Sequence, residues 1–391
     1  MTEAVLTLNA GSSSLKFALF PARGDTPLAI GLADRIGPEG TLRLTRQDGQ
    51  PMHSAPGDLG SHAGAIRAVI DSFRAEYPDL TLRSVGHRVV HGGANHAAPV
   101  MVTAPVMAEL EALAPFAPLH QPHNLAGIRA AAEAFAGVPQ VACFDTAFHR
   151  NQPWANDAFA LPRAFYDEGL RRYGFHGLSY HYIAGVLPRD LAQGRVIVAH
   201  LGNGASMCAL QGGRSIASTM GFSALDGLPM GTRCGQIDPG VLLYLMDQKG
   251  MSAAQISDLL YTQSGLLGLS GLSNDMRTLE TANTPEADQA IDYFVARCQR
   301  EIGSLAAALG GIDALVFTAG IGENARRIRA RVCARLGWMG IGVDAGLNAA
   351  NAQVISPPEA PTTVMVIPTN EELVIARAAR AAVGLTEPKA A

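Results

Sequence analysis

Short apolar runs of strand length alternate along this chain with stretches of helical spacing, and that alternation constrains the fold more than any other feature. AVLTLN, LKFALF, VGHRVV, QVACFD, RVIVAHL, SMCAL, DALVFTAG and VMVIPT are each bounded by Gly, Pro or polar residues. Strands interleaved with helices predict an α/β fold. From 290 to 309, Ile291, Phe294, Val295, Cys298, Ile302, Leu305 and Leu309 recur every three or four residues, which predicts a long helix with one face in the core. At 391 residues, 48% hydrophobic and 16% charged, the chain is long enough for two cores, so two domains with a cleft between them are expected.

LTLNAGSSSLKFAL from residue 6 and VIVAHLGNGASMCAL from residue 196 both read as an apolar strand, a Gly/Ser/Asn turn and a second short strand. In a chain with 42 glycines chance alone produces such likenesses; as a true repeat it implies a duplicated domain, each copy offering a hairpin turn to one cleft. The domain boundary is placed near residue 150, in the turn-rich HRNQPWAND.

A net charge of −4 disfavours nucleic acid and anionic membranes, which both select a concentrated basic face. The arginines are scattered except in ARRIRAR at 325–331, whose helical spacing reads as a solvated helix face. MTEAVLTLN carries an acid where a secretory signal carries bases, and no apolar run reaches membrane-spanning length, so a cytoplasmic protein is expected. Cys143, Cys208, Cys234, Cys298 and Cys333 are odd in number and widely spaced. They indicate neither a disulfide framework nor a C-x-x-C metal site, and are expected to be reduced and mostly buried.

Three turns of small residues point to phosphate. In AGSSS the backbone N–H groups and hydroxyls can form a nest for an anion, and Lys16, one of only three lysines with Lys249 and Lys389, lies two residues beyond. A plain hairpin turn explains that stretch equally well, and no Walker A sequence occurs. His200-Leu201-Gly202-Asn203-Gly204 follows a continuous apolar strand, and Ala319-Gly320-Ile321-Gly322-Glu323-Asn324 lies between the strand ALVFT and the helix-like NARRIRAR. Each is weak alone; three together suggest a nucleotide.

Phosphoryl transfer spreads charge over equatorial oxygens, which planar guanidinium donors suit. Arg88, at a strand end in GHRVVHGG, and Arg233, in MGTRCGQIDPG, rank above Arg277 in SNDMRTLE, which reads equally as a surface residue. Asp145 closes the strand QVACFD, on the side where an α/β sheet faces its ligand. Thr369 and Glu372 have capping-box spacing, which leaves Glu371 free for a cation. Mg²⁺ prefers one or two carboxylates with phosphate oxygens and water, so Asp145 and Glu371 are candidates. His87 and His91 lack a third ligand nearby, and H-E-x-x-H is absent, so zinc is disfavoured. His120, His176 and His200 sit among Gly, Pro and aromatic residues and are placed in a cleft, although a core histidine bonded to backbone is the commoner fate.

NAGSSSLKF, GHRVVHGG, APLH, FDTAFH, RRYGFHG, HLGNGAS, MGTRCG, DMR, TAGIGEN and PTNEELVIA occur in the order and approximate spacing of the acetate kinases. From residue 5 to about residue 380 the chain resembles that family, which belongs to the superfamily of acetate and sugar kinases, Hsp70 and actin. The resemblance implies two domains of duplicated actin-like, ribonuclease H-like core with a nucleotide cleft between them: 1–149 with 373–391, and 150–372. It implies Mg²⁺, replaceable by Mn²⁺, at Asn9 and Glu371, and ATP or ADP contacts at Lys16, His200 through Gly204, Asp275, Met276, Arg277 and Gly320 through Asn324. Arg88 is implied to bind the carboxylate substrate, Asp145 to be the active-site carboxylate, and His176 and Arg233 to stabilise the transition state. Val90, Leu119, Phe175 and Pro229 are implied to form the methyl pocket, and the protein a homodimer.

Acetate is already ionised at neutral pH, because carboxylic acids titrate near 4 to 5, so no base is needed to make the nucleophile. The expected chemistry is in-line transfer from ATP to acetate, giving acetyl phosphate and ADP, with Asp145 orienting more than abstracting a proton. The chain departs from the family at Gln236, where Asp is expected, at Leu178 and Tyr180, where Thr and His are usual, and in LHQPHN. The rivals are a propionate or other short-chain acyl kinase, decided at Val90, and a non-catalytic actin-like nucleotide-binding module.

Overall fold

In the computed structural model, residues 2–11, 14–54, 57–118 and 120–385 are described. The chain divides into two compact units, Met1–Phe148 with Asn370–Ala391, and His149–Thr369.

The first unit is built on a seven-stranded sheet of β1 (Thr2–Ala10), β2 (Leu15–Pro21), β3 (Ala29–Asp34), β4 (Thr41–Arg46), β5 (Leu80–Val89), β6 (Val100–Met101) and β7 (Gln140–Phe144), in the order β4-β3-β2-β1-β5-β7-β6. β1 to β4 form an antiparallel meander, and β5 and β7 run parallel to β1. Five consecutive residues of β1 are buried, Ala4 to Leu8, because helices cover both faces of a central strand. The helices His62–Glu76 and Gln121–Ala134 contribute Ile66, Val69, Phe73 and Ala131 to a core with Leu6, Leu8 and Phe17. The helix Glu371–Ala382 packs against β1, β5 and β7. Its contact is tight: a Cβ on Gly86 of β5 would lie 2.5 Å from Ile375 Cγ2, so only glycine lets this helix reach the sheet. Ser84 Oγ donates to Ala379 O at 2.9 Å, and the buried Arg380 donates to Pro21 O at 2.9 Å.

The second unit carries β8 (Arg195–Leu201), β9 (Ala205–Gln211), β10 (Arg214–Ser218), β11 (Ala314–Thr318) and β12 (Thr363–Val366) in the order β10-β9-β8-β11-β12. Again a three-stranded antiparallel meander is followed by two strands parallel to its first. This is the strand order β3-β2-β1-β5-β7 of the first unit, so each unit holds a ribonuclease H-like core. The internal echo is therefore the same hairpin twice, β1–β2 and β8–β9. The predicted long helix runs Pro285–Leu309, buries all seven residues of its apolar stripe, and is capped by the Thr284 hydroxyl and by left-handed Gly310.

Some expectations are corrected. AGIGEN is not a turn: Ala319–Asn324 is itself a short helix entered directly from β11, with Ala319 at φ 65° absorbing the change of direction. ARRIRAR is only partly solvated; Arg329 is 1% exposed, because its guanidinium satisfies carbonyls of the preceding turn. The capping box is absent: Asn370 Oδ1 caps the last helix by accepting from Leu373 N at 3.0 Å, because that helix starts one residue later than a Thr369 cap requires. All five cysteines are free, and four are buried. Among the described residues no helix is long and apolar enough to cross a membrane.

Candidate active site

Three adjacent parallel strand ends assemble the site of the first unit. Leu8 pairs with His87, and Arg88 with Cys143, so Asn9, Arg88 and Asp145 emerge together where β1, β5 and β7 finish. Arg88 Nη2 donates to Asp145 Oδ2 at 2.6 Å, its Nε lies 3.1 Å from both carboxylate oxygens, and its Nη1 donates to Asn9 Oδ1 at 3.2 Å. Asp145 is 1% exposed and Arg88 21%, so the guanidinium is the solvent-facing member of the pair. Glu371, the first residue of the helix packed on these strands, places Oε2 4.0 Å from Arg88 Nε.

Burial works against the charge on Arg88, but the Asp145 and Glu371 carboxylates outweigh it and raise its pKa, so it is a permanent cation. Burial pushes the Glu371 carboxyl up to about 7; Asp145 and Glu372 add to the rise and Arg88 opposes it. Lys16 is the cross-strand partner of Asn9 on β2. The segment after β5 is held rigidly. Val90 N donates to Asn124 Oδ1 at 2.9 Å, Asn124 Nδ2 donates to Ala10 O at 2.7 Å, and Gln121 bonds both backbone groups of His91. Val90 itself is 4% exposed.

The second unit gathers a different set. His176, left-handed at φ 56°, stands at the N-terminal boundary of the helix Gly177–Val186 without capping it through its side chain. Its ring stacks on His200 at 4.2 Å, its Nδ1 lies 2.8 Å from Ser206 Oγ, and His200 Nδ1 lies 2.9 Å from Ser179 Oγ. A Cβ on Gly204 would lie 3.3 Å from His176 Nε2 and 3.5 Å from Arg233 Nη2, so both side chains converge over a position kept open by glycine. Arg233 Nη1 donates to Ala224 O at 3.0 Å.

In the same unit a cleft of about 550 Å³ is lined by Gly202, Asn203, Asp275, Met276, Arg277, Gly320, Ile321 and Asn324, all sequence-predicted, and by Asn274, Glu280 and Ala325, which were not. Leu201 and Gly322 are buried instead of lining it. Glu323 Oε1 accepts from Ala319 N at 2.8 Å and Thr369 N at 3.2 Å, which ties the carboxylate to the start of its own helix and to the segment before the last helix. Asp275 caps the helix Met276–Ala282 and pairs with the exposed Arg277 at 2.6 Å; that hydrogen bond holds its carboxyl below the usual range. The buried Arg329 donates to Gly322 O at 2.9 Å, Glu323 O at 2.8 Å and Asn348 Oδ1 at 2.8 Å, bracing the wall of the cleft.

Phe175 and Pro229 are buried in the second unit, whereas Val90 belongs to the first. Leu119, and Ser12 and Ser13 of the proposed nest, lie outside the described residues. Gln236 Oε1 accepts from Arg297, so the departure from Asp does not leave it idle. His87 Nε2 bonds Gln140 Oε1 at 2.7 Å, and burial lowers its pKa to about 4. His149, quoted only within a motif, donates from Nε2 to Phe175 O at 3.0 Å and so fixes the backbone entering His176. Gln121, Asn124 and Ser206 escaped the sequence reading because their partners are distant in the chain.

Among the described residues no three His, Cys, Asp or Glu groups gather as a metal cage. Asn9 Oδ1 and the Glu371 carboxylate, both grouped around Arg88, are hard oxygen donors that fit Mg²⁺ when phosphate oxygens and water complete its shell.

The model of the acetokinase family matches residues 4–377. An acetate kinase of Methylocella silvestris is 57% identical, with 96% of this chain and 97% of that protein covered; one of Rhodopseudomonas palustris is 52% identical, with 96% and 98% covered. Among solved structures, Porphyromonas gingivalis acetate kinase superposes with a TM-score of 0.86 at 38% identity over 97% of this chain and all of that one. A propionate kinase from Francisella tularensis superposes with a TM-score of 0.90 at 36% identity over 97% of this chain and 99% of that one. A match over nearly the whole length, on a chain whose strand ends carry Asn9, Arg88 and Asp145 together, settles the affiliation: the chain belongs to the acetokinase family.

Proposed function

We propose that the protein is a carboxylate phosphotransferase that moves the γ-phosphoryl group of ATP to acetate, reversibly, giving acetyl phosphate and ADP. The observation that carries this reading is Arg88: a permanent cation held by a buried Asp145, with its exposed edge available to a second carboxylate. Asp145 and Asn9 orient the guanidinium, and Val90 supplies an apolar wall for the methyl group. In the second unit the cleft beside Gly202, Met276 and Gly320 takes the nucleotide, and His176 and Arg233 donate to the transferring phosphoryl oxygens. Asn9 and Glu371 would hold Mg²⁺, which would supply neutralisation of phosphate charge.

A homodimer in the cytoplasm fits this reading. The helix Pro239–Asp247 buries none of its residues and leaves Val241, Leu243, Tyr244 and Met246 exposed around it, apolar surface suited to a second copy. Propionate is the competing acceptor, supported by the superposition on a propionate kinase, and Val90 decides between them.

The test is Mg²⁺- and ATP-dependent acyl phosphate formation, trapped as the hydroxamate, with acetate, propionate and butyrate, for wild type and Arg88→Ala. Acetate-preferring activity that the variant loses supports the reading. Equal or better turnover of propionate reassigns the substrate, and no acyl phosphate from any acid returns the protein to the nucleotide-binding modules.

A further inference from the structure

Ser206 Oγ, on β9, meets two partners at once: His176 Nδ1 at 2.8 Å and the Tyr180 hydroxyl. Tyr180 stands four residues after His176, one turn into the helix Gly177–Val186, so both side chains reach the same serine. A serine hydroxyl has one proton to give, and the direction of the chain decides which nitrogen of His176 carries its own.

Two arrangements satisfy the geometry. In one, an imidazolium or Nδ1–H tautomer donates to Ser206. In the other, Tyr180 O–H donates to Ser206, Ser206 donates to His176 Nδ1, and the ring proton sits on Nε2. The neighbours favour the second. A cationic guanidinium beside the imidazole disfavours the imidazolium. His176 Nε2 and Arg233 Nη2 converge over one position at Gly204, and an anionic oxygen accepting there from both selects the proton on Nε2 over a lone pair. Tyr180 is fully buried, which keeps its hydroxyl protonated and able to donate at neutral pH.

We propose that Tyr180, acting through Ser206, is a positioning residue that fixes His176 as the neutral Nε2–H tautomer, so that the edge facing Gly204 and Arg233 presents a hydrogen-bond donor to an anionic oxygen. The inference rests on the reading of His176 as a group that faces the transferring phosphoryl. It goes beyond that reading by naming what selects the proton's place.

The test uses full-length enzyme labelled with ¹⁵N-histidine. Two-bond ¹⁵N–¹H correlation spectra, with the His176 signals assigned by their loss in His176→Gln, show an Nε2–H ring in the wild type and a mixture of tautomers in Tyr180→Phe. In the same variant kcat falls about tenfold while KM for nucleotide and carboxylate stays within about twofold, the loss expected for one hydrogen bond used in the transition state. Tyr180→His, which keeps a donor, restores part of kcat. Ser206→Ala repeats the loss, and the double variant loses no more than Ser206→Ala alone, since both act along one chain. If Tyr180→Phe fails to fold, Ser206→Ala alone carries the comparison. An Nδ1–H tautomer in the wild type, or an unchanged tautomer and kcat in the variants, overturns the proposal. Wild-type turnover in His176→Gln would instead sink the role given to His176 and leave the tautomer result standing.

Discussion

Val90 is a small wall held in place through its own backbone: its N–H is bonded to Asn124, which is bonded in turn to Ala10. Its side chain can therefore be shortened without releasing the loop. Val90→Ala is expected to raise kcat/KM for propionate relative to acetate about tenfold, as one methylene in an apolar pocket does; a ratio unchanged in parallel hydroxamate assays would remove Val90 from the pocket. Arg329 lies at the other end of the chemistry. Arg329→Met keeps much of the volume but abandons the carbonyls of Gly322 and Glu323, which costs about 1–3 kcal/mol. Urea unfolding measures that loss, and the nucleotide KM should rise with it while the acetate KM holds. Arg88 and Asp145 were legible in the sequence because a charge at the end of an apolar strand needs a reason. Arg329 was not, because its partners Asn348 and Asn351 lie on a separate stretch of chain, and only folding shows a buried guanidinium inside what reads as a basic surface run.

At the scale of elements, the helix Glu371–Ala382 positions the cation carboxylate by lying close on β5. Gly86→Val places methyl groups where Ile375 already stands, and overpacking of this kind costs about 1–3 kcal/mol. The expected outcome is a lower melting temperature together with a higher Mg²⁺ concentration for half-maximal activity. Loss of stability with an unchanged Mg²⁺ requirement would separate Glu371 from the cation. The central strands were read from sequence because they are buried on both faces and nearly continuous in apolar residues. β3 and β4 were missed: AIGLAD and TLRLTR lie towards the open side of the sheet, where partial burial permits Gly, Arg and Thr. The turn AGIGEN was misread for the opposite reason, since Gly and Asn signal a turn locally while the sheet hands β11 straight into a helix.

For the molecule as a whole, pH acts through histidines held neutral. His87 and His149 are fully buried, and burial lowers both from 6.5 to about 4. The unfolded chain accepts these protons first. Their contribution is thus complete above the ordinary histidine pKa and is lost as pH falls from there towards 4, by up to about 3 kcal/mol for each ring. Urea midpoints should therefore drop between about pH 7 and about pH 5, and His87→Gln should flatten part of that slope. The raised Glu371 carboxyl acts in the opposite sense over the same window, so the decisive comparison is between variants: a slope unchanged in His87→Gln would contradict the burial of that ring.

The first unit also has an unusual relation to time. Its sheet is complete in sequence by Phe144, yet the helix that covers β1, β5 and β7 is made only after the whole of the second unit has been synthesised. A nascent chain thus holds that face of the sheet uncovered while more than half of the protein is translated, the interval in which unpaired apolar surface is most exposed to misassembly. The same helix begins with Glu371. Docking it closes the core and delivers the carboxylate in a single event, so an unfinished chain has neither.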